Sequence, residues 1–387
     1  MVLPLVPVLG VIAVAVSYNQ RMLDPLTALL ARDLAVTASA AVALSPAFSL
    51  PYALGQPFLG PIADSYGKAL VLKLCMAVVF AATLATLFVS DYQVLFALRL
   101  ITGLAGGGII PTCLALIADR TPIERRQLTL SRFMVAMIAG QLFTAPISAF
   151  LAERWGWEAS ASFAVAMALL AMGLVVARVP ARRDVARPPL SLSRAVATYR
   201  GILADGRARA CYAGVLAEGG LVFGFTPHIA LVLEERRLGG AVEAGYVLAG
   251  MGLGGLVYAV LVGHLVKRYS MFTMMQAGAL LLALGLGITA FAGGWPLMMA
   301  AYGALGFGFY MMHSGLQAQV SEIDPLQRAS LISLHAFFMF LGIAGGPMAF
   351  GWVQGLIGST AALALAALGI GAVGVAVARY LAAWKKT

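Results

Sequence analysis

Apolar runs of about twenty residues recur along this chain at intervals of roughly 32, and a run of that length is what a helix needs to cross a hydrocarbon layer ~30 Å thick. A chain of 387 residues has room for about twelve such runs with short connectors. Read against the polar breaks, the pattern predicts helices over 4–31, 40–63, 69–89, 93–118, 127–152 and 158–179, then 209–234, 242–266, 271–292, 295–320, 328–354 and 357–382. Composition agrees: 61% of residues are apolar, 11% are charged and the mean hydropathy is +0.92. These values exclude a water-soluble domain, a disordered chain and a nucleic-acid-binding module. The bilayer is the expected surrounding.

One long polar stretch interrupts the series, from Pro180 to about Ala208, and carries Arg182, Arg183, Arg187, Arg194, Arg200 and Arg207. It divides the chain into a first six-helix unit, 1–179, a linker, 180–208, and a second six-helix unit, 209–387. The 26 basic residues are distributed unevenly: about twenty lie after even-numbered helices or at the C-terminal end, and Arg32, Arg154, Arg236 and Arg237 lie in the opposite loops. Under the positive-inside rule both termini and the linker are therefore cytoplasmic, in a multi-pass protein expected in a bacterial inner membrane. The net charge of +10 is mostly a topology signal rather than a sign of an anionic partner. Cys75, Cys113 and Cys211 sit in separate apolar runs without paired spacing, which predicts neither disulfides nor a zinc site. The opening MVLPLVPVLG carries no basic cluster and is read as a retained first helix.

The halves repeat each other at a nearly constant offset of 201 to 203 residues. Pro25 pairs with Pro227, Gly60 with Gly263, Gly103 with Gly306, and Pro146 with Pro347, the mark of an internal duplication. In the same register Arg21 faces Phe223, Asp24 faces Thr226, Asp64 faces Lys267 and Arg99 faces Tyr302. Charge retained in the first half predicts that ion coupling resides mainly there.

GPIADSYGKALVL, Gly60 to Leu72, resembles the signature loop of the major facilitator superfamily, with Asp64, Gly67 and Lys68 in place and Ala69 where a further basic residue is usual. ALRLITG, with Arg99 and Gly103, resembles the superfamily's second motif. AGQLFTAPISAF looks like a worn form of the helix 5 motif of drug:proton antiporters, whose Gly-Pro and Gly-Gly pairs appear here as Ala145-Pro146 and Ser148-Ala149. RMLDPLTALLARDL and RRQLTLSRF are similar to stretches of bacterial efflux members. The resemblance implies an all-α membrane fold of two pseudo-symmetric six-helix bundles around a cavity lined mainly by helices 1, 4, 7 and 10, working by alternating access. It also implies a role for Arg99 in proton coupling, and bends of helices 5 and 11 at Pro146 and Pro347.

The residues themselves narrow the candidates. Gly60 and Gly67 would permit a tight loop and close approach of helices 2 and 11. Asp64, in the gate motif with Gly67 and Lys68, either accepts from a neighbouring helix N-terminus or a cytoplasmic Arg, a contact that breaks when the halves move, or is a solvated loop carboxylate. Arg99 lies among apolar residues, so it needs a cavity, a partner or an end to snorkel to. Ser17, Gln20, Arg21 and Asp24 recur at spacings of three and four on one face of helix 1, which must look into a polar cavity. If Arg21 and Asp24 pair and part during transport, Asp24 carries the proton; otherwise they form a permanent ion pair. Glu218, Phe225 and His228 share a side of helix 7, where Glu218 binds a cationic substrate, takes a second proton or sits at the interface. Tyr302, Phe309, His313 and Gln317 form a stripe on helix 10, a cavity wall or a packing face, and Gln141 is a cavity candidate on helix 5. His335 and His264 carry less.

Three function classes remain to weigh. No GxxxxGK[ST] sequence occurs, so energy must come from a gradient. Seventeen methionines and the helix 10 stripe suit an adaptable apolar cavity. The first reading is a secondary transporter exporting a small organic molecule or drug in exchange for protons. The alternative is a proton-coupled uptake permease for an anionic metabolite, with Arg21 and Arg99 binding the anion. A membrane enzyme is disfavoured, because four histidines on four helices offer no catalytic or metal cluster. No cofactor is expected, and the chain is expected to act as a monomer.

Overall fold

The protein is described here by a computed structural model covering residues 5–180, 192–324 and 327–384. The side chain of Asp64 and the linker residues Arg182, Arg183 and Arg187 lie outside the described set. Twelve long helices follow one another among the described residues, with no strand. They are α1 (Leu5–Asp33), α2 (Ala38–Tyr66), α3 (Lys68–Phe88), α4 (Tyr92–Arg120), α5 (Ile123–Trp155) and α6 (Trp157–Arg178). After a linker helix, Leu192–Ala204, come α7 (Gly206–Glu235), α8 (Ala241–Arg268), α9 (Met271–Phe291), α10 (Trp295–Ser321), α11 (328–357) and α12 (359–384). Large apolar side chains on the outside, such as Val260 at 76%, Phe291 at 76% and Leu368 at 73% exposure, suit a surface that faces hydrocarbon. Each predicted helix is present within a few residues of its expected ends. α7 begins earlier than expected, at Gly206, because the Asp205 carboxylate accepts from the N–H groups of Arg207 and Ala208 and caps it.

Proline sets the breaks. It lacks an N–H and its ring crowds the carbonyl four residues back. Pro25 ends the first segment of α1 at Arg21, after which one 3-10 turn, Asp24–Leu26, leads into Thr27–Asp33. Pro227 does the same in α7, where a π turn at Glu218–Val222 and a 3-10 turn at Thr226–His228 precede Ile229–Glu235. Pro111 stands four residues after Gly107, where α4 is interrupted before resuming at Ile109. α2 accommodates Pro46, Pro51, Pro57 and Pro61 without interruption, and Pro146 and Pro347 likewise lie inside continuous helices.

The duplication is visible in the backbone. Gly156 between α5 and α6 has φ 83°, ψ 164°; Gly358, 202 residues later between α11 and α12, has φ 80°, ψ 162°. Both are left-handed conformations that favour glycine. Gly103 of α4 lies so close to α2 that a Cβ there would stand 2.2 Å from the Phe48 carbonyl oxygen. Its counterpart Gly306 of α10 meets the Met251 carbonyl of α8 in the same way, at 2.0 Å.

The face that carries the linker helix is called the linker face, and its opposite the far face. On the far face the Thr27 hydroxyl donates to the Pro227 carbonyl, 2.7 Å, and Arg32 pairs with Glu234, 3.1 Å. α5 and α8 interlock there, with Gly245 against Ala145 and Pro146. Toward the linker face α2 meets α11: the rings of Tyr52 and Phe340 are 4.3 Å apart and the Ser333 hydroxyl donates to the Gln56 carbonyl. Because Pro61 has no N–H, the Pro57 carbonyl lacks its helical partner, and the Tyr199 hydroxyl of the linker helix donates to it at 2.9 Å. The halves thus touch on both faces.

Candidate functional site: the crossing of two broken helices

The breaks of α1 and α7 meet near the pseudo-twofold axis. A helix that stops at Arg21 leaves its last carbonyls without internal partners. Arg99, 2% exposed, supplies the donors: Nη1 to the Asn19 carbonyl, 2.6 Å, Nη2 to the Gln20 carbonyl, 3.0 Å, and Nε to the Leu44 carbonyl of α2, 3.3 Å. A cation at a helix C-terminus is also favoured by the helix dipole. The guanidinium lies 4.6 Å from the Phe48 ring centroid, and Asn19 is steadied by donating to the Thr83 hydroxyl. Arg99 is thus buried and does not snorkel; its partners are the cut end of α1 and the Leu44 carbonyl.

Two residues past the break, Asp24 is 1% exposed. Its Oδ2 lies 3.3 Å from Arg21 Nη1, Ser45 also lies beside the carboxylate, and Oδ1 makes no hydrogen bond among the described residues. Arg21, with its side chain 17% exposed, lies over the Phe223 ring at 4.5 Å. These two residues are counterparts across the duplication, so each half places one member of a cation–π contact on the axis.

Between the halves is a cavity of about 50 Å³ lined by Arg21, Asp24, Gln141, Ala145, Phe223, Thr226, Leu248, Met251, Gly252 and Tyr310. That volume holds water rather than an organic ligand, for which ~300 Å³ or more is usual. The wall of this water-sized space comes from α1, α5, α7, α8 and α10, while Arg99 of α4 faces the end of α1 instead. Among the expected cavity residues only Gln141 borders the space, with the Tyr310 hydroxyl 3.4 Å from its Oε1. The uninterrupted face expected for Ser17 to Asp24 ends at the break, and Ser17 packs on Gly140 of α5 while Gln20 lends its carbonyl to Arg99. Phe225 packs on Phe350, His228 bonds the Pro347 carbonyl at 3.0 Å, and Tyr302 packs on Gly250. Gln317 is exposed. Phe223, Thr226, Met251 and Tyr310 were not singled out as cavity residues from sequence; they are mostly apolar or aromatic and carry no signal that separates a wall from a core.

A second polar cluster lies inside the second half. Glu218, fully buried, accepts or shares a proton with His313 Nδ1 across 3.0 Å, while its Oε1 has no partner. The His313 ring stacks on Phe309 at 5.1 Å and lies 4.9 Å from the buried His335 ring, neither of whose nitrogens has a partner. The helix 10 stripe is thus split: Phe309 and His313 face α7 and α11, and Glu218 is buried between helices. Of the loop motif, Gly67 makes the α2–α3 turn at φ 106°, and Lys68 pairs with Asp119 of α4 at 2.7 Å. The expectation that Gly60 brings α2 and α11 together is not met, since a Cβ there would have no neighbour within 4 Å.

A family model described as Major Facilitator Superfamily matches residues 9–347. The chain belongs to the major facilitator superfamily. Its fold is the superfamily's twelve-helix arrangement. The human organic anion transporter MFSD10 (TETRAN) superposes with a TM-score of 0.74 at 17% identity, covering 97% of this chain and 99% of that one. A D-xylose–proton symporter superposes with a TM-score of 0.71 at 18% identity over 98% of this chain and 96% of that one. Among sequence relatives, Multidrug resistance protein D of Escherichia coli is 28% identical over 184 residues, 47% of this chain and 46% of that protein. A gallate transporter of Pseudomonas putida is 31% identical over 106 residues, 27% of this chain and 24% of its own. The chain thus aligns with less than half the length of these two. With the multi-drug resistance efflux pump PmrA of Streptococcus pneumoniae the match is 27% over 327 residues, 79% of this chain and 77% of the pump.

Proposed function

We propose that this superfamily member is a proton-coupled secondary transporter that exports a small organic molecule by alternating access. The observation that carries the reading is Asp24: a buried carboxylate on the cavity wall, paired with Arg21, with Ser45 and Arg99 also near it and with its Oδ1 making no hydrogen bond among the described residues. In this reading Arg21 leaves Asp24 when the halves move apart, Asp24 takes a proton, and the cavity enlarges to admit substrate. Arg99 keeps the break in α1 at a constant geometry while Arg21 moves. Residues 1–179 and 209–387 are the moving bundles of a monomer in a bacterial inner membrane, with the termini and the 180–208 linker in the cytoplasm. Gly60, Asp64, Gly67 and Lys68 then belong to the cytoplasmic gate, and Pro146 and Pro347 to helices that flex. The multidrug relatives support the exporting direction.

A second reading has its own observation. Arg21 reaches the cavity beside an aromatic ring, an arrangement that also suits an aromatic carboxylate. The gallate transporter and a 4-hydroxybenzoate transporter of Pseudomonas aeruginosa, 30% identical over 99 residues, support uptake of an anion. Proteoliposomes with an internal pH dye separate the two. Export predicts proton movement driven by added cationic drugs and abolished by Asp24→Asn; proton entry with added organic acids favours uptake. Transport with unchanged pH dependence in Asp24→Asn removes Asp24 from the coupling step.

A further inference from the structure

We propose that Glu218, His313 and His335 form a second proton-binding site, separate from Asp24 and enclosed within the second half. The site deepens the proton-coupled reading, and its geometry stands without it.

Three helices build the cluster: α7 brings Glu218, α10 brings His313 and α11 brings His335. A distance of 3.0 Å between Glu218 Oε2 and His313 Nδ1 requires one proton between them, carried either by the imidazole or by the carboxyl. The other carboxyl oxygen and both nitrogens of His335 have no partner. Buried polar atoms left in that state are costly unless something binds them. Glu218 and His313 do not border the cavity of about 50 Å³ between the halves. His313 is the accessible member, with its side chain 17% exposed and Ser314 and Gln317 exposed beside it on α10. His313 is the titratable group that faces Glu218; His335 of α11 faces His313 in turn, Phe309 of α10 stacks on the His313 ring, and the α11 backbone packs against Gly219 beside Glu218. Before uptake the neutral His313 imidazole donates its own Nδ1 proton to the Glu218 carboxylate; one further proton bonds to His313 Nε2, the Nδ1–H bond breaks as that proton passes to Glu218 Oε2, and the pair ends as a neutral carboxylic acid donating to a neutral imidazole.

The position gives the proton leverage. Glu218 opens the π turn of α7, five residues before Phe223, the ring that supports Arg21. A π turn leaves the helix locally under-wound and is a frequent marker of functional positions. The next residue, Gly219, lies against the α11 backbone, where a Cβ would stand 2.2 Å from the Met339 carbonyl, so a shift at Glu218 passes to α11. α11 is the helix that meets α2 of the other half through Phe340 and Ser333.

The test is infrared difference spectroscopy of the protein as a function of pH. The expected result is a carboxylic-acid carbonyl band that appears as pH falls, disappears in Glu218→Gln and persists in Asp24→Asn. A band that survives Glu218→Gln, or no titrating band in the wild type, overturns the proposal. Should Glu218→Gln fail to fold, His313→Gln leaves the carboxyl in place and must displace the band's midpoint; an unmoved midpoint overturns it equally. Loss of pH-dependent transport in Asp24→Asn is a separate readout, so either site can fail without the other.

Discussion

Arg99 bonds three main-chain carbonyls from two helices and lies over an aromatic ring, which makes it a cap rather than a free charge. Its removal leaves those acceptors buried and unmet at ~1–3 kcal/mol each, so Arg99→Ala is expected to lose on the order of 3 kcal/mol or more. Thermal melting of the purified protein checks this, with Arg99→Lys expected to fall in between, since an ammonium lacks the fork that reaches separate acceptors. Asp24 and Glu218 share a different state, each with one oxygen held by a base and one left alone. From sequence, helical spacing suggested Arg21 and Asp24 as a pair. The partnership of Glu218 with His313, 95 positions away, had no such signal, because spacing relates residues on one helix and says nothing of which helix comes opposite.

At the scale of the element, small residues decide how closely helices pack where lipid provides no hydrophobic drive between them. Gly103→Ala and Gly306→Ala each force a methyl into a carbonyl oxygen of α2 or α8, and neither backbone can step aside. Both are expected to destabilise by roughly 1–3 kcal/mol or more, the range for overpacking. Gly60→Ala and Gly263→Ala, whose Cβ atoms would meet nothing within 4 Å, are expected to leave the melting temperature unchanged. A comparison of the four variants by thermal shift therefore distinguishes repeated glycines that permit contact from repeated glycines that do not. The sequence alignment of the halves paired all four without distinguishing them.

For the whole molecule the central question is which contacts must open. Arg32 and Glu234 bridge the far face, and the native cysteines are all buried and out of competition for surface reagents. Joining Arg32→Cys to Glu234→Cys with a short cleavable thiol crosslinker is expected to stop transport, and cleavage to restore it; continued transport while crosslinked would show that the far face need not open. At the linker face, Tyr199→Phe removes the donor to the Pro57 carbonyl. In that variant Ser333→Cys should label faster with a water-soluble thiol reagent than in a Tyr199 background, as the tie between linker helix and α2 loosens. Equal labelling rates would mean that the Tyr199 bond does not hold that face.

Helix number, approximate helix ends and the duplication were legible from the order of residues, because they depend on local properties: the length of an apolar run and a repeated glycine or proline. The breaks at Pro25 and Pro227 were not foreseen, since both prolines stood inside spans expected to be uninterrupted. The tertiary structure decided what the buried charges touch. Only the packing of α1 against α2 and α4 turns Arg99 onto the carbonyls of α1, and only the approach of α7, α10 and α11 assembles Glu218, His313 and His335. The cavity wall belongs to the same class, since α5 and α8 reach it through the rotation each helix adopts against its neighbours. That rotation is set by side chains meeting across helices, a property that no single segment of the chain contains.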